Sequence, residues 1–537
     1  YPQPDTLYPV ICEVIMNTEV IKANIVVFIA SFCTLVIELV AGRIMAPYVG
    51  VSLYTWTSII GVVLAGISIG AYLGGIIADR YPRQTTLGWL LFLSGLGAFS
   101  IAPLTNLIGA AQFQSTLMMR IMILTTVIFF VPSTILGMIS PVVVKLTLNN
   151  LEKTGNVVGK IYAFSTLGSI IGTFATGFFL ISWMGTRNIL LMMGIILVAS
   201  SLVFGGFFMR KKSLAIFILI MVPLTWAFYD IAFKAPLDAA VYYYKETDYY
   251  TIKLKEYDKN EDGRELNAMI LDNLVHSIND LEDPMYLDYA YIQIYDEVVR
   301  WQEGKRRELK TLFLGGGAYT FPRFMEVQYP RAEIDVMEID PVITQITYEH
   351  MGLSRDTRIR SFNEDARWFV MNCREKEKYD FIFGDAFNDL SIPYHLTTKE
   401  FAEQLKAIMK PDGVLIANLI DSFKEGAFLP SYIRTLEEVF GKGNVHLIAR
   451  YPDFDNTGVT TCVVLASRMK LDLAEFQEKT RADKGYAAVS HVVPADWVQK
   501  LIRERKTVLL TDDYVPVDNL TAPIFEERYG YKKQATK

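Results

Sequence analysis

Thr311-Leu312-Phe313-Leu314-Gly315-Gly316-Gly317 is a short apolar run that passes directly into three glycines. Apolar runs of this length, closed by glycine, read as buried strands. Glycines at such a point let the chain turn tightly and bring its backbone against a ligand. Ala332–Glu338 reads as the next strand, and its closing acid, Glu338, comes 21 positions after Gly317. A carboxylate at that distance is placed to accept hydrogen bonds from ribose hydroxyls. Tyr379–Gly384 is a third strand and Gly413–Leu419 a fourth, entered through Lys410-Pro411-Asp412-Gly413; Thr460–Leu465 is a fifth. Strands alternating with helices at this spacing imply a Rossmann-like, doubly wound parallel sheet with ligands at the carboxyl ends of the strands.

The ligand class narrows further. Position 320 is Thr, so the full G-x-G-x-x-G pattern is absent, and no Walker lysine follows the glycines. A mononucleoside is favoured over NAD or ATP. Asp365 precedes a helix over Ala366–Met371. Two readings stay open for it: contact with an adenine amino group, or a cap on that helix. Asp385 ends the strand Phe381-Ile382-Phe383-Gly384 beside the glycine loop, where a carboxylate is placed for chemistry.

Upstream, Val241–Tyr244, Tyr250–Leu254 and Ala268–Leu271 read as strands, with Asn260-Glu261-Asp262-Gly263 as a turn. They predict a small antiparallel sheet before the main fold, followed by a helix over Pro284–Gln302.

The first part of the chain is different in kind. From about Ala23 to Phe233 charges are sparse and long apolar runs dominate. Seven stretches approach the roughly 20 residues a bilayer crossing needs: Asn24–Val40, Thr55–Ile77, Leu87–Ile108, Ile121–Met138, Val157–Ile181, Ile189–Phe208 and Leu214–Phe233. Gly66, Gly70, Gly74 and Gly75 stripe the second, and Gly168, Gly172 and Gly177 the fifth. Small residues let helix backbones approach closely in lipid, which predicts a compact bundle. Glu38 and Arg43 close the first stretch, either snorkelling at the interface or forming a buried pair. Arg80 and Arg83, then Lys145, Lys153 and Lys160, then Arg210, Lys211 and Lys212 form three basic clusters. The positive-inside rule puts all three in the cytoplasm, so seven spans would send the C-terminal half to the opposite face.

The expected division is an N-terminal segment over 1–22, a transmembrane helical domain over 23–233, a small β subdomain with linking helix over 234–303, and a Rossmann-like, nucleoside-binding catalytic domain over 304–537. The net charge of −6 gives no footprint for nucleic acid. Cys12, Cys33, Cys373 and Cys462 are too scattered for a zinc ribbon or CxxC site, so no metal is expected.

These residues together resemble the spermidine synthase family of polyamine aminopropyltransferases, and especially its membrane-fused members. The resemblance runs from Glu246 to Leu520. It rests on Glu246-Thr247-Asp248-Tyr249-Tyr250, Leu271-Asp272-Asn273, Tyr286 with Asp288, Leu314–Gly317, Glu338-Ile339-Asp340, Asn363-Glu364-Asp365-Ala366, Asp385-Ala386-Phe387-Asn388 and Tyr451-Pro452. His395–Phe401, Leu510–Pro516 and Glu38–Arg43 look like segments of the membrane-fused branch. Gly74–Arg83 separately resembles a loop of major facilitator transporters. The family resemblance implies transfer of an aminopropyl group from decarboxylated S-adenosylmethionine to a putrescine-type amine. Gly315, Gly316, Gly317, Glu338, Asp365 and Ala366 would hold the nucleoside. Asp385 would be the base, with Tyr286 and Tyr451 lining the amine pocket and His276, Asn388 and Asp389 touching substrate.

The chain departs from the family pattern at Ala318, His276 and Asn388, where the family has Asp, Gln and Asp. The nucleoside side of the site is therefore better kept than the amine side. Two other functions stay open: methyl or aminocarboxypropyl transfer from S-adenosylmethionine to a membrane-borne acceptor, and a transporter or sensor with a non-catalytic nucleoside- or polyamine-binding domain. Expected partners are the lipid bilayer, a small amine or membrane-borne acceptor, and a second copy of the chain in a homodimer. The expected location is the cell (inner) membrane, multi-pass, with the C-terminal domain cytoplasmic because adenosylated sulfonium cofactors are made there.

Overall fold

The computed structural model describes residues 7–109, 111, 115–148, 154–206, 238–257, 263–303, 308–386, 392–454, 458–482 and 488–529. The chain divides into two compact units, Tyr1–Leu237 and Asp238–Lys537.

The first unit is helical: α1 (Leu7–Val49), α2 (Leu53–Arg80), α3 (Gln84–Ile108), α4 (Leu117–Thr147), α5 (Thr154–Ala175) and α6 (Ile181–Phe204). Among the described residues, five stretches are long and apolar enough to cross a membrane. The fifth, Thr154–Phe204, has 51 residues, roughly 76 Å of helix against a hydrocarbon core of about 30 Å. It is not one span, because Gly185 takes φ 74° and ψ 163° and breaks it. A side chain at that φ is strained, so glycine is the residue that permits the break. The expected seventh stretch, Leu214–Phe233, lies outside the described residues.

Helix directions follow from the glycine contacts. Phe28 meets Gly168 and Phe32 meets Gly172, so α1 and α5 run parallel. Ile67 meets Gly137 and Gly74 meets Met138, so α2 and α4 run parallel too. Gly95 meets Val198 while Phe99 meets Gly194, so α3 and α6 are antiparallel. With the short α1–α2 and α2–α3 connections, these directions fit an up-and-down arrangement of the six helices among the described residues. One end carries Tyr48, Asn106 and Arg187, joined through the Asn106 carbonyl oxygen. The other carries the Asp79–Lys145 ion pair and Arg80.

Close approach holds these pairs together. A Cβ added at Gly74 would lie 2.7 Å from Met138 Cα, whereas one added at Gly75 would meet nothing within 4 Å. Gly74→Leu is therefore expected to destabilise the bundle by about 1–3 kcal/mol through forced separation of α2 and α4. Gly75→Leu is expected to be near neutral. Thermal unfolding of the full chain in detergent checks the contrast.

The second unit opens with a four-stranded antiparallel sheet, β1 (Val241–Glu246), β2 (Thr251–Tyr257), β3 (Leu266–Leu271) and β4 (Leu274–Asp280), in chain order. After α7 (Ala290–Glu303) come β5 (Lys310–Leu314), α8 (Thr320–Gln328), β6 (Glu333–Met337), α9 (Pro341–His350), β7 (Arg360–Phe362), α10 (Ala366–Asn372) and β8 (Tyr379–Gly384). A 3-10 turn (Tyr394–Leu396), α11 (Lys399–Ile408), β9 (Met409–Ser422), α12 (Phe428–Phe440), β10 (Val445–Ala449) and β11 (Val459–Ser467) follow. The chain closes with α13 (Leu473–Ala482), β12 (His491–Val492), α14 (Ala495–Glu504) and α15 (Val517–Tyr529).

The eight strands β5–β12 form one sheet in the order β12-β10-β11-β9-β8-β5-β6-β7. Strands β5 to β9 are parallel, as expected. The strand around Thr460–Leu465 corrects the all-parallel reading, because β11 runs antiparallel to β9 and to β10. The sheet is covered on both faces, which is why its strands read as continuous apolar runs. Leu312, Leu314, Ile382 and Leu415 pack on one side. Phe313, Phe381, Phe383, Val414 and Ile416 pack on the other. The Phe313 and Phe383 rings stack with centroids 4.4 Å apart, tying β5 to β8 at the heart of the sheet.

Candidate active site

Strand β5 lies between β6 and β8, where the winding order reverses. Such a switch point leaves a crevice at the strand ends. A cavity of about 380 Å³ occupies it, lined by Gly315–Gly317 after β5, Glu338 after β6, Asp385 after β8 and Asn418 in β9.

Two glycines are required here by conformation. Gly315 has φ +104°, and a Cβ on it would sit 2.3 Å from the Asp385 carbonyl oxygen. The tight crossing is fixed by Gly315 N–H donating to the Met337 carbonyl (2.8 Å) and Asp385 N–H donating to that of Leu314 (2.9 Å). Gly317 has φ +49°. The loop amides then turn on Glu338: Oε2 accepts from Gly316 N–H at 2.9 Å and Gly317 N–H at 3.3 Å, and Oε1 from Asp340 N–H at 3.0 Å. Burial nevertheless raises the Glu338 carboxyl to about 7, with the three amide bonds opposing the rise. Oε2 is filled by its two amide donors, while Oε1, with one donor, keeps lone-pair capacity for a ligand hydroxyl.

For Asp365 the capping reading is the one observed. Its Oδ1 accepts from Trp368 N–H at 2.9 Å and caps α10, while the residue also lines the cavity beside Ala366. Its Oδ2 meets His395 Nε2 at 2.9 Å, so the 3-10 turn is drawn over that end of the cavity. The Asp365 carboxyl is held below its ordinary value, burial being outweighed by the Trp368 amide and His395.

Asp385 is pushed up to about 6 by burial, against hydrogen bonds from Asn418 and Tyr291 that favour its charged form. The Asn418 Nδ2 bond to Asp385 Oδ1 is 2.8 Å. A carboxylate so tuned is ionised at neutral pH and still basic enough to take a proton. His276 lines the cavity too; burial lowers it to about 4, so its ring is neutral.

The cavity does not include every expected residue. Tyr286 stacks under Arg264, 4.7 Å from the ring centroid, and donates its hydroxyl proton to Asp288, so it packs outside the cavity lining. Tyr451 is 42% exposed and is likewise absent from the lining. The tyrosines that do line it are Tyr249, Tyr250, Tyr289, Tyr291 and Tyr295. Asn388 and Asp389 lie outside the described residues. Tyr291 and Asn418, the two donors to Asp385, were not singled out in the sequence. Asn418 had a signal: it is a polar residue near the carboxyl end of an apolar strand. Tyr291 had none. Among the described residues no group of His, Cys, Asp and Glu could hold a metal ion.

The spermine/spermidine synthase domain model matches residues 305–469. The polyamine aminopropyltransferase of Vibrio vulnificus is 36% identical over 136 residues, covering 25% of this chain and 44% of that relative. Polyamine aminopropyltransferase 2 of Aquifex aeolicus is 22% identical over 480 residues, covering 85% of this chain and 90% of the relative. A crystal structure of a probable spermidine synthase from Corynebacterium glutamicum overlaps 51% of this chain and 96% of its own, at 22% identity and a TM-score of 0.44. The domain-model match spans the glycine loop, Glu338, Asp365 and Asp385, so the part of the chain that holds the cavity is similar to the spermidine synthase family of transferases, while the chain spans less than half the length of the Vibrio relative.

Proposed function

We propose that the α/β unit transfers the aminopropyl group of decarboxylated S-adenosylmethionine to a primary amine of the putrescine type, at a membrane. The observation that carries this is a single cavity holding a ribose-type acid, Glu338, a glycine loop and a base-type acid, Asp385.

The chemistry is an in-line displacement. The neutral amine nitrogen attacks the propyl carbon bonded to sulfur. The carbon–sulfur bond breaks, its electron pair stays on sulfur, and methylthioadenosine leaves. The new nitrogen–carbon bond puts a positive charge on nitrogen, and Asp385 takes the proton. Glu338 holds the ribose hydroxyls, and Asp365 holds the adenine amino group. Holding both reactants in line supplies much of the rate. The departures at Ala318, His276 and Asn388 make the acceptor the open variable. The test is incubation with decarboxylated S-adenosylmethionine and a panel of mono- and diamines. An acceptor heavier by one aminopropyl unit supports the reading, and no such product across the panel contradicts it.

The acid limb of the rate should report Asp385. Its protonated form cannot accept a proton, so kcat/KM, which reports the free chain, should fall as the pH drops through about 6. A limb that stays in place in Asp385→Asn would assign it elsewhere.

For sidedness, α6 ends at Phe204 on the bundle face that carries Arg80 and Lys145. That face is cytoplasmic by the positive-inside rule. Cofactor supply favours the same side for the α/β unit, which requires that the stretch Leu214–Phe233 does not cross the bilayer. Protease accessibility of a C-terminal tag in sealed inverted vesicles checks it.

A further inference from the structure

The tight glycine contacts leave α1–α5 and α2–α4 as two closely packed pairs. Between the pairs lies a cleft of about 570 Å³ that no part of the proposed reaction uses. Its lining runs from Asp79 and Lys145 at one end to Leu35, Ile67 and Ser169 at the other. Measured along α2 from Asp79 to Ile67, or along α5 from Val158 to Ser169, that is roughly 16–18 Å of helix. One leaflet of a bilayer has a hydrocarbon depth of about 15 Å. The cleft is thus as deep as a single leaflet.

The walls are apolar, from Val27, Leu35, Ile67, Leu136, Val144 and Val158. Hydroxyls are set among them: those of Ser31 and Ser165 hydrogen-bond each other at 2.6 Å and Thr34 donates to the Ala30 carbonyl, while Ser140, Tyr162 and Ser169 also line the cleft, so the lining carries hydroxyls but no charge above the Asp79–Lys145 end. The charges are at the end. Lys145 Nζ and Asp79 Oδ1 are 2.8 Å apart across the gap between α4 and α2, with side chains 47% and 74% exposed. An ion pair this exposed is held weakly and opens at little cost. Lysine ammonium binds phosphate as a point charge, and a carboxylate accepts from an ammonium. The pair has no net charge, so a purely anionic head meets Asp79 and a purely cationic one meets Lys145.

We propose that this cleft binds one zwitterionic amino-phospholipid from the leaflet on the Asp79–Lys145 face. An acyl chain lies between the helix pairs, the phosphate sits on Lys145 and the ammonium on Asp79. The proposal rests on the reading of the helical unit as membrane-spanning. Gly75 lines the cleft, and a side chain added there enters open space. Gly75→Phe should therefore fill the cleft without parting α2 from α4.

The test uses the full chain, carbonate-washed in membranes, then delipidated in detergent. Native mass spectrometry counts adducts of dioctanoyl phosphatidylethanolamine, dioctanoyl phosphatidylglycerol and glycerophosphoethanolamine. The expected result is one phosphatidylethanolamine per chain, about tenfold tighter than phosphatidylglycerol, with no adduct from the free headgroup. Gly75→Phe should abolish it, and Asp79→Asn or Lys145→Gln should weaken it about tenfold. Equal retention of both lipids, binding of the free headgroup, or retention unaffected by the charge variants would overturn the proposal. Release of the chain into the carbonate supernatant would overturn the membrane reading as well. A pelleted chain with no selective lipid overturns the cleft alone.

Discussion

Asp385→Asn is expected to lower kcat by about 10²–10⁴-fold, the range that loss of a positioned base produces. The substitution keeps shape and leaves one acceptor oxygen for the Asn418 amide. Nothing in the Glu338 and Asp365 contacts changes, because those carboxylates bond to Gly316, Gly317, Asp340 and Trp368 rather than to Asp385. Methylthioadenosine should therefore bind the variant within about twofold of the parent, which separates chemistry from binding. Single-turnover kinetics and calorimetry on the same preparation measure both. A kcat loss below tenfold would remove Asp385 from the role of base.

The second large effect belongs to Glu338. Hydrogen bonds to a charged acceptor contribute about 1.5–3 kcal/mol each. Glu338→Ala removes those to the ribose and leaves the Gly316 and Gly317 amides without their carboxylate. Nucleoside affinity should fall by about 100-fold or more on those magnitudes. A pH signature accompanies it in the parent chain. Burial raises the free Glu338 carboxyl to about 7, and ribose hydroxyls favour its charged form. Binding therefore releases a proton, and affinity should weaken as pH falls below about 7. Calorimetry in buffers of different ionisation enthalpy detects the released proton. An affinity flat from pH 8 to 5.5 would place the ribose elsewhere.

Much of this site was legible because its signals are local. A strand ending in glycines, an acid closing the next strand and an acid closing the one after are each written in a few consecutive residues. They converge in space because the parallel strands β5, β6 and β8 are neighbours. The direction of β11 was not legible. Its residues Cys462–Leu465 are buried, and an apolar run looks the same whichever way it lies in the sheet. Strand β7 has three residues, too few to show a period. Tyr286 and Tyr451 were expected from resemblance alone, and the packing of Arg264 over Tyr286 occupies that ring elsewhere. Tyr291 and Asn418 meet at Asp385 only through the fold, from a helix and a strand far apart in the chain.

The helical unit shows the same division. Its apolar lengths could be counted from sequence, and Gly185 explains why Thr154–Phe204 reads as two spans while forming one helical stretch broken by a single residue. The parallel pairing of α1 with α5 and α2 with α4 could not be read, since glycine stripes predict close contact without naming the partner.

The identity of the nucleoside by-product tests the central claim most directly. The full chain is incubated with decarboxylated S-adenosylmethionine and with S-adenosylmethionine in separate reactions, each with the same amine panel, and the nucleosides are identified by mass. The account predicts methylthioadenosine from the decarboxylated donor, dependent on Asp385. S-adenosylhomocysteine from the other donor, with no methylthioadenosine in either reaction, would contradict it.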